Sequence, residues 1–202
     1  MGSSSGRAMR WTFLLVLLLL PSGPLAGQVG LQPSEGRRVS SAGAVQLKGS
    51  RVAHEERLHA GGWAGLVFGD RLAVGGAGFA LLRDVELLGP EAGIGFDLGM
   101  GYGGLFVAYW GELSARVTGQ LGFLAGAGHA ELTDRLIGRE VGSDNFPVLE
   151  PDLSLFFTIH PGVRIGASIG YRMVWSVDNL ATVSAKDLRA TTGTLSLRVG
   201  GK

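Results

Sequence analysis

The residues most able to do chemistry in this sequence are charged side chains placed at alternate positions within apolar segments. In the stretch FPVLEPDLSLFFTIHPGVRIGASIGYRMVW (146–175) the charged residues occupy even positions, and most of their odd-numbered neighbours are aliphatic or aromatic. A two-residue period is typical of a β-strand, whose successive side chains point to opposite faces. The pattern therefore predicts two strands with one charged face and one apolar face.

The same parity, applied to the other apolar segments, predicts a cluster of eight charged side chains on one face of the sheet. Charges in a narrow interior are costly unless they are paired, so we expect five basic and three acidic groups to form a partly neutralised network. We favour a structural role, in which the network fills the interior and fixes the strand register, over a gated passage. The predicted members are Lys48, Asp97, Arg116, Glu150, Asp152, Arg164, Arg172 and Arg198.

Two pairings are expected within this cluster, and the first follows from the hairpin around His160-Pro161. Residues of equal parity must share a face, so cross-strand partners have position numbers that add up to 322 or 320. In either register the carboxylate of Glu150 reaches the guanidinium of Arg172, and we expect the two to pair. Asp152 is expected to reach an arginine on a neighbouring strand, with Arg116 as the first candidate. Pro151 cannot donate to a sheet ladder and marks a possible bulge.

Two glycine motifs resemble catalytic or cofactor-binding signatures. Gly99–Gly104 matches the dinucleotide-binding pattern GxGxxG, which needs a strand before it and a helix after it. Gly166–Gly170 matches the nucleophile pattern GxSxG, which needs a strand-to-helix turn. Both motifs lie in segments of strand character. We therefore attribute both matches to the abundance of glycine.

The four histidines, His54, His59, His129 and His160, have no metal-ligand spacing. A hydrolase or acyltransferase built on a barrel would need a histidine beside a serine and a carboxylate at one rim. Nothing in the sequence pairs His59 or His129 with such a nucleophile. We therefore expect no catalytic residue, no metal and no cofactor, and a barrel enzyme is only the third hypothesis.

The N-terminus predicts export from the cytoplasm. Arg7 and Arg10 precede the apolar run WTFLLVLLLL (11–20), and PSGPLAGQ follows. A basic region, a short apolar core and a small-residue cleavage region are typical of a secretory signal peptide. We assign 1–27 to the signal peptide, 28–42 to a flexible lead-in and 43–202 to the folded domain.

The composition of the remaining chain excludes several classes of protein. Removing the two arginines of the signal from the 18 basic residues leaves 16 against 17 acidic residues, so the charge gives no argument for nucleic-acid binding. There is no cysteine, which excludes disulfides and thiolate chemistry. Glycine accounts for 35 of 202 residues, against a usual share of about 7%. Glycine inside apolar segments suits the bends of a small closed barrel.

Eight strands are predicted from the two-residue period, and an even number is typical of an up-and-down barrel. The connections alternate between tight turns, at 69–71, 111–112 and 160–162, and longer links, at 51–56, 84–93, 129–147 and 176–190. Short turns at one end and long loops at the other are the layout of a bacterial outer-membrane barrel. The predicted strands are 43–50, 57–68, 71–83, 94–109, 114–128, 148–158, 163–175 and 191–200.

Two environments are compatible with strands that are apolar on one face. A soluble, lipocalin-like periplasmic barrel that binds an apolar ligand would place its aliphatic face inside, whereas an outer-membrane barrel would place it against lipid. The polar face of this sequence is mostly glycine, serine and threonine with isolated charges, which fits a narrow interior. Aromatic residues near strand ends suit the girdles of a membrane barrel. We therefore favour the membrane and keep the soluble barrel as the alternative.

Three segments carry a resemblance to a known group: HAGGWAGLVFGDRLAVGGAGFALL (59–82), GYGGLFVAYW (101–110) and the pair FPVLEP (146–151) with IGYR (169–172). Over about residues 41–200 the chain resembles a family of uncharacterised, glycine-rich bacterial outer-membrane β-barrel proteins. It is more loosely similar to the small OmpA-like and OmpX-like barrels. The resemblance implies an eight-stranded barrel in the outer membrane and implies no catalytic or binding residues.

Together these observations predict an all-β protein, an eight-stranded antiparallel up-and-down transmembrane β-barrel in the outer membrane of a Gram-negative bacterium. Its expected role is structural or mediated by its loops, with at most minor solute passage through an interior filled by the charged network. The expected partners are outer-membrane lipid and the barrel assembly machinery, but no nucleic acid. The sequence does not identify a partner for the loops.

Overall fold

The computed structural model describes residues 39–88, 95–180 and 183–200 of the chain. The predicted signal peptide and most of the predicted lead-in fall outside these residues. The first strand begins at Val39, four residues before the predicted start of the folded domain. The strands are β1 (Val39–Val52), β2 (Glu55–Phe68), β3 (Leu72–Leu81), β4 (Val85–Leu88), β5 (Gly95–Glu112), β6 (Val117–Asp134), β7 (Arg139–His160), β8 (Val163–Val174) and β9 (Ala190–Gly200), and one short helix, α1 (Ala185–Leu188), precedes β9.

Eight of the strands close into a ring in which every neighbouring pair is antiparallel. The order is β1-β2-β3-β5-β6-β7-β8-β9, and β9 pairs back onto β1 with Leu47 opposite Leu195. Strand β4 lies outside the ring order and pairs with the part of β5 that extends past β3. The predicted eight-stranded up-and-down barrel is confirmed, and each predicted strand overlaps one member of the ring.

The two ends of the barrel differ in their connections. We call the end with the short turns at 69–71, 113–116 and 161–162 the turn end, and the opposite end the loop end. At the loop end two predicted loops are wrong. The link 51–56 is a two-residue turn in which Ala53 and His54 both have positive φ, as a tight hairpin requires. The predicted loop 129–147 is mostly strand, because β6 and β7 stay paired as far as Asp134 and Arg139.

The connection between β8 and β9 folds over the loop end of the barrel. It contains α1, and Leu180, Val183 and Leu188 are buried in one apolar cluster with Val52 and other residues of the strands. Asp144 on β7 anchors the start of this connection, because its carboxylate accepts hydrogen bonds from the backbone N–H groups of Asp178 and Asn179. No helix in the described part of the chain is long and apolar enough to cross a membrane.

The two faces of the ring have opposite chemistry. Leu153, Ile165 and Leu195 point outward and are 59%, 47% and 65% exposed, whereas the charged Glu150 and Arg172 are buried inside. This is the reverse of a lipocalin-like barrel, which directs its aliphatic side chains inward. The alternative of a soluble barrel with an apolar ligand pocket is therefore wrong for this fold.

The interior itself has a polar half and an aromatic half. Strands β1, β7, β8 and β9 direct mainly polar side chains inward, in keeping with the predicted parity. Strands β2, β3 and β5 contribute a set of buried aromatic rings. Trp63 and Trp110 were expected in the outer girdles because they lie near strand ends, and that placement is wrong, since both are buried inside. The set consists of Trp63, Phe79, Tyr102, Phe106 and Trp110.

Candidate functional site in the barrel interior

An ion pair between Lys48 and Glu150 spans the interior near its middle. The Lys48 Nζ lies 2.6 Å from Glu150 Oε1, and both side chains are buried. The hydroxyl of Tyr102 donates to Glu150 Oε2 at 2.8 Å, and the hydroxyl of Thr192 donates to Oε1 at 3.1 Å. The Lys48 ammonium also lies 3.4 Å from the ring centroid of Phe79, which is cation–π geometry. Both charges therefore have partners that satisfy them in the low-dielectric interior.

Arg172 is fully buried but does not follow the predicted pairing. The register of β7 and β8 places Asp152 opposite Gly170, a sum of 322, so Glu150 and Arg172 share the inner face as predicted. Among the described residues, however, no ion pair joins them, and that pairing prediction is wrong. The guanidinium instead turns toward the loop end, where Nε donates to the carbonyl of Leu188 at 2.8 Å and Nη2 to that of Arg51 at 3.3 Å.

The contact between Arg172 and His59 extends this cluster. Arg172 Nη1 lies 3.3 Å from His59 Nε2, and His59 is fully buried. The guanidinium also stands 5.4 Å from the ring centroid of Tyr102. Arg172 therefore contacts backbone carbonyls and rings in place of the predicted carboxylate of Glu150, which pairs with Lys48.

Asp152 lies closer to the turn end than Glu150 does, and it contacts a neighbouring serine. Its Oδ1 accepts a hydrogen bond from the Ser154 hydroxyl at 2.7 Å. The predicted partner, Arg116, is exposed in the turn before β6, so it is not an interior residue. A small cavity beside Asp152 has polar walls from one half of the barrel and aromatic walls from the other. It is lined by Gln46, Lys48, Ala77, Phe79, Phe106, Leu124, Glu150, Asp152, Ser168 and Thr194.

Asp97 is the second predicted member that lies outside the interior. The inward positions of β5 are even-numbered, with Leu98 and Met100 buried on either side of Gly99. Asp97 therefore has outward parity, and its Oδ1 lies 3.0 Å from Nε of Arg135, which also pairs with Glu86. The glycine-rich sequence of β5 obscured this parity, which explains the incorrect placement.

Arg164 and Arg198 occupy the interior near the turn end. They stand directly opposite each other in the pairing of β8 and β9. Arg198 is fully buried, and 9% of the Arg164 surface is exposed. Six predicted members thus lie inside the barrel: Lys48, Glu150, Asp152, Arg164, Arg172 and Arg198. Their function as a network stays a prediction.

Sequence reasoning missed three residues of the central cluster. Tyr102 and Thr192 both donate hydrogen bonds to Glu150, and His59 contacts Arg172. Tyr102 lies within the GxGxxG match. A prediction that the even-numbered residues of β5 point inward would have placed it on the inner face. In β9 the two-residue period that places Arg198 inward also places Thr192 inward.

The two catalytic-looking motifs lie in strands, as their context predicted. Residues 99–104 are part of β5, and residues 166–170 are part of β8. Neither motif opens a helix, which the dinucleotide and nucleophile patterns require. Within the described residues, no group of three or more histidine, aspartate or glutamate side chains is arranged to hold a metal ion.

Comparison with known proteins shows a likeness of fold. No family model matches the chain, and no curated protein does. Among solved structures, Neisserial surface protein A (NspA) is 17% identical with a TM-score of 0.55, over 82% of this chain and 99% of NspA. The N-terminal β-barrel domain of Pseudomonas aeruginosa OprF is 12% identical with a TM-score of 0.45, over 78% and 96%. Ail, the attachment invasion locus protein of Yersinia pestis, is 17% identical with a TM-score of 0.44, over 83% and 98%.

The closed ring, the outward aliphatic surface and the polar interior define the class of protein. It is an eight-stranded antiparallel up-and-down transmembrane β-barrel. The chain shares this fold with NspA over nearly the whole of that protein.

Proposed function

We propose that this protein is an integral outer-membrane barrel whose interior is closed by its own side chains and whose loop end faces the outside of the cell. The observation that carries the proposal is the outward aliphatic surface around a ring without a free edge. A closed ring has no edge strand with a row of unpaired backbone groups, so the ring can stand in hydrocarbon. An exposed surface of this kind would not be stable in water.

The interior contacts favour a structural role over a pore. Lys48 and Glu150 join opposite parts of the wall, and Arg172 ties the wall to the connection that carries α1. At the turn end, Arg198 is packed against two aromatic rings. An eight-stranded barrel is narrow enough for its side chains to fill. Solute passage is therefore at most minor.

The extended β6–β7 hairpin supports a role for the loop end in contact with a partner. The hairpin turn presents Leu136 and Ile137, which are 74% and 67% exposed. Asp134 fixes the turn, because its carboxylate accepts hydrogen bonds from the backbone N–H groups of both residues. A hydrogen-bonded turn with exposed aliphatic side chains is suited to binding a partner.

Fractionation of the native host and a gel assay test the location. The protein should stay with the outer membrane after carbonate extraction, and its mobility should change on boiling, as a folded barrel resists detergent. Recovery in the soluble periplasmic fraction would contradict the proposal. In planar bilayers the purified barrel should show no stable large conductance, and steady open channels would contradict the closed interior while leaving the location intact.

A further inference from the structure

Arg198 is a fully buried guanidinium that contacts two aromatic rings. Its central carbon lies 4.5 Å from the ring centroid of Trp110 and 4.6 Å from that of Phe156. Such stacking is favourable for the cation, but it uses only the faces of the guanidinium plane. Hydrogen bonds must therefore form at the edges of the group.

One edge of this guanidinium is free. Nη1 donates to Oε1 of Gln120 at 3.1 Å, whereas Nε and Nη2 have no acceptor among the residues that the structure describes. Nε and Nη2 lie on the same side of the group and present two parallel N–H bonds, the fork that carboxylates and phosphates accept. A buried charged donor without an acceptor is costly, and such groups in folded proteins call for an explanation.

A second positive charge stands beside this free edge. Arg164 is directly opposite Arg198 in the β8–β9 pairing, and its Nε donates to the Thr158 hydroxyl at 3.3 Å. Side chains at opposed positions have Cβ atoms about 4.5–5.5 Å apart, and like charges there are destabilising. The two opposed arginines therefore place two basic side chains on neighbouring strands, two residues inside the β7–β8 turn.

The two carboxylates of the interior do not reach the free edge of Arg198. Glu150 pairs with Lys48, and Asp152 accepts from Ser154. Among the described residues, no ion pair joins either carboxylate to Arg198. Neither carboxylate therefore supplies the acceptor that Nε and Nη2 of Arg198 lack.

We propose that Arg198, with Arg164, forms a binding site for a small oxyanion, a phosphate or carboxylate group, just inside the turn end of the barrel. The oxyanion accepts two parallel hydrogen bonds from Nε and Nη2 of Arg198 and neutralises its charge. Both arginines lie near the turn end, where Arg164 keeps 9% of its surface exposed, so the anion enters from that end. The phosphate group belongs either to a free anion or to a lipid headgroup.

Inorganic phosphate is the probe for this site. The barrel is refolded in octyl glucoside, which contains no phosphate, and its thermal unfolding midpoint is followed by gel mobility against phosphate at constant ionic strength set with chloride. We expect a saturable increase in the midpoint. Arg198→Met should weaken the apparent phosphate affinity by about tenfold or more, the loss typical of a bidentate charged contact. Arg116→Gln, which removes an exposed arginine at the same end, should leave it unchanged.

A second variant and a second source of phosphate keep the test decisive. Arg164→Gln retains Arg198 and should weaken phosphate binding if the Arg198 variant does not refold. The same series in octyl glucoside micelles with and without added phosphatidate distinguishes a free anion from a lipid headgroup. A midpoint that responds to neither phosphate nor phosphatidate, or a response that survives in both arginine variants, would overturn the site.

Discussion

The ammonium of Lys48 lies 2.6 Å from the carboxylate of Glu150, and this contact joins β1 to β7 across the interior of the barrel. The two strands are not neighbours in the ring, so the contact links parts of the wall that the sheet does not. Tyr102 on β5 donates to the same carboxylate and adds a third strand. The cluster therefore ties the wall together through its interior.

Breaking this ion pair on one side should destabilise the barrel more than removing it altogether. Lys48→Met and Glu150→Gln should each lower the free energy of unfolding by about 3–5 kcal/mol, because one buried charge is left unpaired. The double variant should recover part of that loss. Urea unfolding in lipid vesicles measures all three. Glu55→Gln, at an exposed pair with Arg57, is the control and should cost at most about 1 kcal/mol. Losses that simply add would contradict the pairing.

The strands and their faces could be predicted from the sequence because both depend on local alternation. Lys48, Glu150 and Arg172 stand at regular intervals among aliphatic residues, so their inward direction follows from strand geometry alone. Contacts across the interior could not be predicted in this way. Which strands face each other depends on the stagger of the closed ring, and no local pattern records it.

The errors at the loop end and in β5 each have a physical cause. The segment TDRLIGRE (133–140) has the composition of a loop, yet its ends continue the β6–β7 ladder because backbone hydrogen bonds do not require apolar side chains. In β5, glycines at 99, 101, 103 and 104 leave few side chains from which to read the phase. For that reason Asp97 was wrongly placed in the interior, and Tyr102 was missed.

The outward face should tolerate aliphatic residues and reject charge. Ile165→Arg and Leu153→Arg should each lower the free energy of unfolding in vesicles by about 2–4 kcal/mol if they lie near the bilayer midplane. Leu113→Arg is the matched control, since Leu113 is 67% exposed but lies in the turn after β5, outside the strands. Its effect should be close to zero. Equal effects at all three positions would contradict a lipid-facing surface.

Trypsin added to intact cells should distinguish the two ends of the barrel. We expect cleavage at Arg139 or Arg135, in or beside the exposed turn of the β6–β7 hairpin. Arg71 and Arg116, in connections at the turn end, should be cut only after the outer membrane is permeabilised. Fragment masses give the sites directly. Cleavage at Arg71 in intact cells would reverse the proposed orientation.

The attachment of the β8–β9 connection should weaken at acid pH. Asp144 lies on β7 beyond the last paired residues of β8, outside the exposed apolar stretch 153–159. Hydrogen bonds from the backbone N–H groups of Asn179 and Asp178 hold the pKa of its carboxyl below the usual range. A lowered pKa means that this stabilisation is present above the pKa of the unfolded chain and is lost as the pH falls through the lower folded value. The amide proton shifts of Asp178 and Asn179 should titrate with a midpoint below about 3.9, the ordinary aspartate value. Asp144→Asn should abolish the titration, and a midpoint above that value would contradict the clamp.

Some glycines should not tolerate substitution because a neighbouring strand lies too close, whereas glycines beside open space should tolerate it. Gly104 on β5 is opposite Gly126 on β6, and a Cβ atom on either would meet backbone atoms of the other strand. Gly193 on β9 has open space where its Cβ would stand. Gly104→Ala should therefore destabilise the barrel by about 1–3 kcal/mol, as overpacking does. Gly193→Ala should be neutral or stabilising by up to about 1 kcal/mol, because alanine reduces the freedom of the unfolded chain. Both substitutions add one methyl group to a strand, so they are matched controls for each other. Equal changes in the unfolding midpoint would contradict the explanation that Gly104 is needed because β5 and β6 lie close together.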